Sequence, residues 1–241
     1  MIMPPFTPAS HVDPHLREYG YAVLDPYSVC KWIDCELEAL LRWNFFWSSL
    51  PLDRYLVDGG RYRRRRHSCF VVEGDQVLPS APRAHWQPRE YNALHGGMYR
   101  WFEPLSEGVI GTSTWSTLIR RLGTTASTIK AEDRWFVEAH QFRIDTTEGA
   151  GYPTPEGLHR DGVDLVAVFL VGREQVQGGE SRVFEAQNHQ GLRFTLTEPW
   201  SLLLLDDRRM VHESTAVQAL GGGGFRDTLV VTLRSGGFLG T

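Results

Sequence analysis

Cysteine is scarce in this chain. The three residues Cys30, Cys35 and Cys69 are an odd number without metal-binding spacing, which argues against a disulfide framework and suits a reducing cytoplasm. Long apolar runs are missing too. None approaches the roughly 18 residues of a membrane span, so no membrane association is expected. Residues 1–10 have neither a basic nor an apolar segment of the kind a signal peptide needs. Positive charge is not in excess. The formal net charge of −4 provides no global attraction to nucleic acid or to an anionic surface. Internal repeats and low-complexity linkers are absent. What remains is a 241-residue chain with 41% hydrophobic and 12% aromatic residues, enough to bury a core. Its length suits one large domain or two small ones; a single domain over 1–241 is expected.

Residues 1–20, rich in proline and histidine, read as an irregular arm. A short strand is expected at 19–24. Asp25-Pro26 then offers a helix cap with proline at the first helical position. Val29, Ile33, Leu37, Leu40 and Leu41 recur at helical spacing, so one amphipathic helix is expected over 28–43. A second is expected over 112–122, with Thr112 or Ser113 as cap and Gly123 just past its end. Residues 75–110 read as loop. From 135 to 235 the texture changes to short β-type runs separated by turns, which suggests a sandwich or barrel with helices packed outside it.

Chemistry concentrates at 151–161, which ends in His159-Arg160-Asp161. Residues at i and i+2 of an extended segment share a face. One imidazole and one carboxylate can therefore aim at one point, and His212 would complete a two-histidine, one-carboxylate triad that suits Fe(II). The spacing alone decides nothing, because His11-x-Asp13 has it too, with His67 some way downstream. Context separates the two. The apolar run 164–171 follows Asp161, and His212 follows the apolar run 200–205. Arg226 lies fourteen residues beyond His212, with Thr228 at i+2 from it, whereas the residue fourteen beyond His67 is Ala81. A fixed guanidinium at Arg226 can hold a dicarboxylate through a bidentate pair, and the Thr228 hydroxyl can add a hydrogen bond. Zinc accepts the same ligand types. Arg226 tilts the reading toward iron, since it has a part in anchoring 2-oxoglutarate and none in zinc-water hydrolysis.

Together, Gly151-Tyr-Pro-Thr-Pro-Glu-Gly-Leu-His-Arg-Asp-Gly162, Gly178-Gly-Glu-Ser181, Leu205-Asp-Asp-Arg208, His212-Glu213 and Phe225-Arg-Asp-Thr-Leu229 resemble the 2-oxoglutarate–Fe(II) dioxygenases that hydroxylate free L-amino acids. Among these, the motifs resemble the bacterial L-isoleucine 4-hydroxylase group. The resemblance covers roughly residues 15–235, and Asp58-Gly-Gly-Arg-Tyr-Arg63, Tyr91-Asn92 and His140-Gln-Phe-Arg143 extend it upstream. The resemblance implies a double-stranded β-helix (jelly-roll) core, Fe(II), 2-oxoglutarate and O2. It also implies His159, Asp161 and His212 as metal ligands and Arg226 for the distal carboxylate of 2-oxoglutarate. A carboxylate at Asp161, where related enzymes with a small residue bind halide, points to hydroxylation.

For a small amino-acid-like substrate, Gln141 and Arg143 share one face of the run 135–144, and Arg143 can take a carboxylate if that face looks inward. A structural ion pair is the alternative. Glu156 can receive an α-ammonium or cap a loop. Arg160 should point away from the metal by alternation, and Glu213 can hold His212 from behind. Rival readings keep the chemistry but on a peptide, a carrier-bound residue or another small metabolite, or reduce the fold to a non-catalytic metal-binding module. Another takes Arg61-Tyr62-Arg63-Arg64-Arg65-Arg66 for a nucleic-acid patch, though a strand with one solvated face explains that run as well, and one of its arginines can reach a substrate carboxylate.

Overall fold

A computed structural model describes residues 2–188 and 190–240. A 3-10 turn, Ala9–His11, leads into α1 (Val12–Tyr19), β1 (Tyr21–Leu24), α2 (Pro26–Ile33) and α3 (Leu37–Leu41), and a second 3-10 segment spans Arg42–Trp47. Strands β2 (Arg63–Glu73) and β3 (Gln76–Pro79) precede α4 (Glu107–Ile110) and α5 (Ser113–Ile129). Then come β4 (Arg134–Asp145), β5 (Leu165–Glu174), β6 (Val176–Gly178), β7 (Ser181–Glu185), β8 (Gly191–Phe194), β9 (Leu202–Asp206), β10 (Met210–Ser214), β11 (Val217–Ala219) and β12 (Phe225–Arg234). Every strand pairing is antiparallel. The large sheet runs β1-β9-β5-β12-β4-β2-β3, beside a three-stranded sheet β10-β7-β8 and a ribbon β11-β6.

Side-chain alternation explains why the central strands are apolar without interruption. On β5, Ala167, Phe169 and Val171 join a core shared with the helices, while Val166 and Leu170 join a second core with Val183 and Phe194 of the small sheet. On β9, Leu202 and Leu204 face the helices, and Leu203 and Leu205 face the small sheet. Strands covered on both faces read as continuous hydrophobic runs. On the helix side, Trp43 and Trp47 meet Trp200 edge-on at 5.7 and 6.2 Å between ring centroids. Such contacts add about 0.5–1.5 kcal/mol each beyond buried area.

Several local expectations are corrected. Residues 12–19 form a helix, not an irregular arm. Asp13 ties that helix to α5 by accepting from Arg121 at 3.1 Å and Thr125 at 2.7 Å, so the second His-x-Asp is a structural clamp. The expected helix over 28–43 breaks at Asp34, whose φ of 54° closes α2. Helix α5 runs through Gly123 to Ile129. A Cβ at Gly123 would sit 2.8 Å from Val72 Cγ1, so this glycine serves close helix–sheet approach, not helix termination. The β-core also begins earlier than 135, because β2 pairs with β4 from Arg63 to Glu73. Asp13→Ala should cost about 1–2 kcal/mol of stability in denaturant unfolding, the scale of lost charged hydrogen bonds. Fe(II) affinity should not change; a loss of it would place Asp13 at the metal.

Among the described residues, no helix is long and apolar enough to cross a membrane.

Candidate active site

The segment before β5 is pinned by backbone pairing. Gly151 bridges Val217, and His159 bridges His212 through reciprocal hydrogen bonds of 3.1 and 2.9 Å. The bridge sets the two imidazoles side by side, with ring centroids 4.6 Å apart. Downstream, the Asp207 carboxylate accepts from the backbone N–H groups of Asp161, Gly162 and Val163 at 3.0, 2.8 and 3.0 Å. One carboxylate thus clamps the turn that carries Asp161. Burial, and then the Asp161 carboxylate, push the Asp207 carboxyl up.

His159 Nδ1 lies 2.8 Å from the Gly157 carbonyl, which assigns the hydrogen to Nδ1 and leaves Nε2 as a lone pair. His159 Nε2 and His212 Nε2 each stand 3.8 Å from an Asp161 oxygen, too far for hydrogen bonds. Ligand atoms of the three side chains lie within 4.8 Å of one another. Two imidazoles and a carboxylate that converge without bonding each other fit a non-haem Fe(II) that keeps open positions. Burial, then the neighbouring His159, pull His212 down to about 4. His159 goes the other way. Burial opposes its charged form, but Asp161 and Glu156 outweigh it.

Arg226 and Thr228 share a face of β12 and line the same cavity as the three convergent residues. Arg226 is 3% exposed, and its Nε is buried without a partner. Burial, then the nearby Arg173, lower its guanidinium to about 10. Gly179 explains part of its placement: at φ 66°, a Cβ there would fall 2.9 Å from Arg226 Cδ. Glu156 also lines the cavity. One oxygen is 3.6 Å from His159 Nε2, and the other is buried and unpartnered.

Gln141 and Arg143 are not in the cavity. Val137 and Ala139 pack into the helix-side core, and alternation carries 141 and 143 to that same side of β4. Arg143 holds Asp227 through two hydrogen bonds of 2.8 and 2.7 Å, so it is a structural ion pair. Glu213 pairs with Arg182 and leaves His212 Nδ1 without a partner. Arg160 reaches outward to the Arg208 carbonyl.

Two contacts have no counterpart in the sequence reading. One is the Asp207 clamp, within the quoted Leu205-Asp-Asp-Arg208 motif. The other is Gln87, whose amide nitrogen donates to Asp161 Oδ1 at 3.2 Å from a loop without pattern. Arg100 and Asn92 donate to the Gln87 oxygen, so its nitrogen must face Asp161. A second group, His67, His85, Glu138 and His140, also clusters within 4.8 Å. Its carboxylate oxygen already accepts from His67 and His85 at 3.0 and 2.6 Å, and the Arg65 guanidinium lies 2.8 Å from His140 Nδ1. That is a hydrogen-bonded wall with a cation against it, unlike the convergent lone pairs of the first group.

A family model described as 2OG-Fe dioxygenase matches residues 44–232. The crystal structure of a bsmA homolog from Methylobium petroleophilum PM1 is 48% identical, with 98% of this chain and 96% of that chain covered at a TM-score of 0.92. IDO from Bacillus thuringiensis shares the fold at 17% identity and a TM-score of 0.78, covering 98% of this chain and 99% of that chain. The Fe(II)/(alpha)ketoglutarate-dependent dioxygenase TqaL shares it at 16% and 0.72, covering 94% and 86%. No curated protein matches the sequence.

Proposed function

From the premise that the chain belongs to the 2OG-Fe dioxygenase family and is a 2-oxoglutarate-dependent non-haem iron oxygenase with a jelly-roll core, we propose that it hydroxylates an unactivated C–H of a free L-amino acid or close derivative. The cytoplasm is its proposed setting, where Cys30, Cys35 and Cys69 remain free thiols, and natural-product biosynthesis is a suitable context. The observation that carries the substrate reading is Glu156: a buried carboxylate oxygen without a partner, in the cavity wall beside His159. It matches an α-ammonium.

In this reading His159, Asp161 and His212 hold Fe(II), and Arg226 with Thr228 holds the far carboxylate of 2-oxoglutarate. Bound iron supplies the oxidation in which C–H, O2 and 2-oxoglutarate become C–OH, succinate and CO2. The protein's part is placement and exclusion. Asp207 and the His159–His212 bridge keep three ligands on one side, so the other side stays open to cosubstrate and substrate. Phe142, Val168, Leu203 and Val230 add apolar surface to the cavity wall, which limits water. Glu156 fixes the ammonium end, and that distance selects the carbon presented.

A screen of proteinogenic and common non-proteinogenic amino acids for substrate-dependent succinate, with products assigned by mass and NMR, tests this. Turnover with free amino acids that stops on chelation of iron is expected. Turnover only with peptides or carrier-bound residues would replace the substrate class. Gly179→Ala should raise the KM for 2-oxoglutarate several-fold at little cost in kcat, because a Cβ 2.9 Å from Arg226 Cδ displaces that side chain; the left-handed alanine itself costs about 1–2 kcal/mol of stability. An unchanged KM would detach Gly179 from that side chain's placement.

A further inference from the structure

The arginine run at 61–66 is unused by the metal chemistry, and β2 divides it between two environments. Arg64 and Arg66 reach Asp145 and Glu103 near the surface. Arg63 and Arg65 turn inward, 5% and 3% exposed, and Arg100, 2% exposed, joins them from the loop before α4. All three line the cavity that holds His159, Asp161 and His212. Their charge is poorly balanced. Asp53 accepts from Arg63 Nε at 2.8 Å and lies 3.9 Å from Arg65 Nη1. Two other acids act on Arg100: Glu138, which is taken up by His67 and His85, and Glu156, which stands in the cavity wall beside His159.

Their hydrogen bonding is incomplete as well. Arg65 Nη2 donates to His140 and Arg100 Nη2 donates to Gln87, but Arg63 Nη2, Arg65 Nε and Arg100 Nε are buried without an acceptor. Phe102 and Phe142 flank the Arg65 guanidinium at 3.9 and 4.5 Å and fix its plane. Burial, then Arg63, lower Arg100 to about 10, which still leaves it charged at neutral pH. Buried guanidiniums with unmet donors are costly, and an anion delivered to them relieves both repulsion and unmet bonding.

We propose that Arg63, Arg65 and Arg100 form a carboxylate subsite for the organic substrate, separate from Arg226. The register separates the two. Arg63 on β2 and Arg226 on β12 both stand opposite Ile144 of β4. They are therefore two strand spacings apart, about 9–10 Å between backbones. The proposal rests on the reading that the organic substrate shares the iron cavity, and it deepens that reading: the carboxylate goes to the arginines and the ammonium on the same α-carbon goes to Glu156, whose charge also acts on Arg100.

The test uses protein loaded with Mn(II) and 2-oxoglutarate under anaerobic conditions, titrated calorimetrically with 3-methylbutanoate and with 3-methylbutanamide. The pair differs in charge at nearly equal shape. The carboxylate should bind at least tenfold more tightly, and Arg65→Gln should erase that preference while 2-oxoglutarate affinity changes less than twofold. Equal binding of the two probes by the wild-type protein would overturn the proposal, and that comparison stands even if Arg65→Gln fails to fold. Weakened 2-oxoglutarate binding in Arg65→Gln, with the probe preference intact, would overturn it too and assign the cluster to the cosubstrate. If no free amino acid supports succinate formation while the probes still discriminate, the amino-acid reading fails and the anion subsite stands.

Discussion

Asp161→Ala should abolish iron binding and substrate-dependent succinate formation together, lowering Fe(II) affinity by more than about 100-fold. Losing a group that only supports a ligand typically costs 10- to 100-fold, so losing a ligand costs more. The substitution is a clean one in this fold. Asp207 binds the backbone N–H groups of Asp161, Gly162 and Val163, so alanine keeps the turn clamped and deletes only the carboxylate. The local loss is one acceptor for Gln87. Unfolding midpoints should therefore stay close to those of the wild-type apo protein, while anaerobic Fe(II) titration shows the deficit. Iron affinity within tenfold of wild type would remove Asp161 from the site, and with it the distinction from His11-x-Asp13.

Arg226→Ala should raise the KM for 2-oxoglutarate by about two to three orders of magnitude, since truncating one member of a buried charge pair costs 2–5 kcal/mol or more. The residue is almost wholly buried and its Nε has no protein partner, so the protein itself leaves donor capacity for a ligand. Arg226→Lys should recover part of the affinity, because charge returns without the planar fork. A KM within threefold of wild type in Arg226→Ala would end the anchor assignment. Arg143→Ala is the matched control. It strips the partner from the nearly buried Asp227 and should cost roughly 3–5 kcal/mol of stability without moving the KM for 2-oxoglutarate.

The contrast between Arg143 and Arg226 marks where the sequence stops being informative. Both sit on long strands next to polar neighbours, and both can bind a carboxylate. Which face of a strand looks inward depends on what covers each side, and β4 is covered on both. Its phase is settled by the packing of Val137 and Ala139 against helices far away in the chain. Gly123 carries the same lesson: a helix-ending residue by local rules lies mid-helix because Val72 needs the space.

Legible in the sequence by itself were the β-rich second half, the candidate set His159-x-Asp161 and His212, Arg226 and Thr228 as candidates to join it, and the kinship with 2-oxoglutarate–Fe(II) dioxygenases. These depend on short spacings and period-two patterns, which survive in a linear string. The tertiary structure decided the rest. It split the arginine run into Arg63 and Arg65 within and Arg64 and Arg66 without, brought Arg100 and Gln87 from a patternless loop to the cavity, and set Asp207 beneath the turn that carries Asp161. Such contacts join residues dozens of positions apart, through strand register and burial on two faces, and no local pattern encodes them.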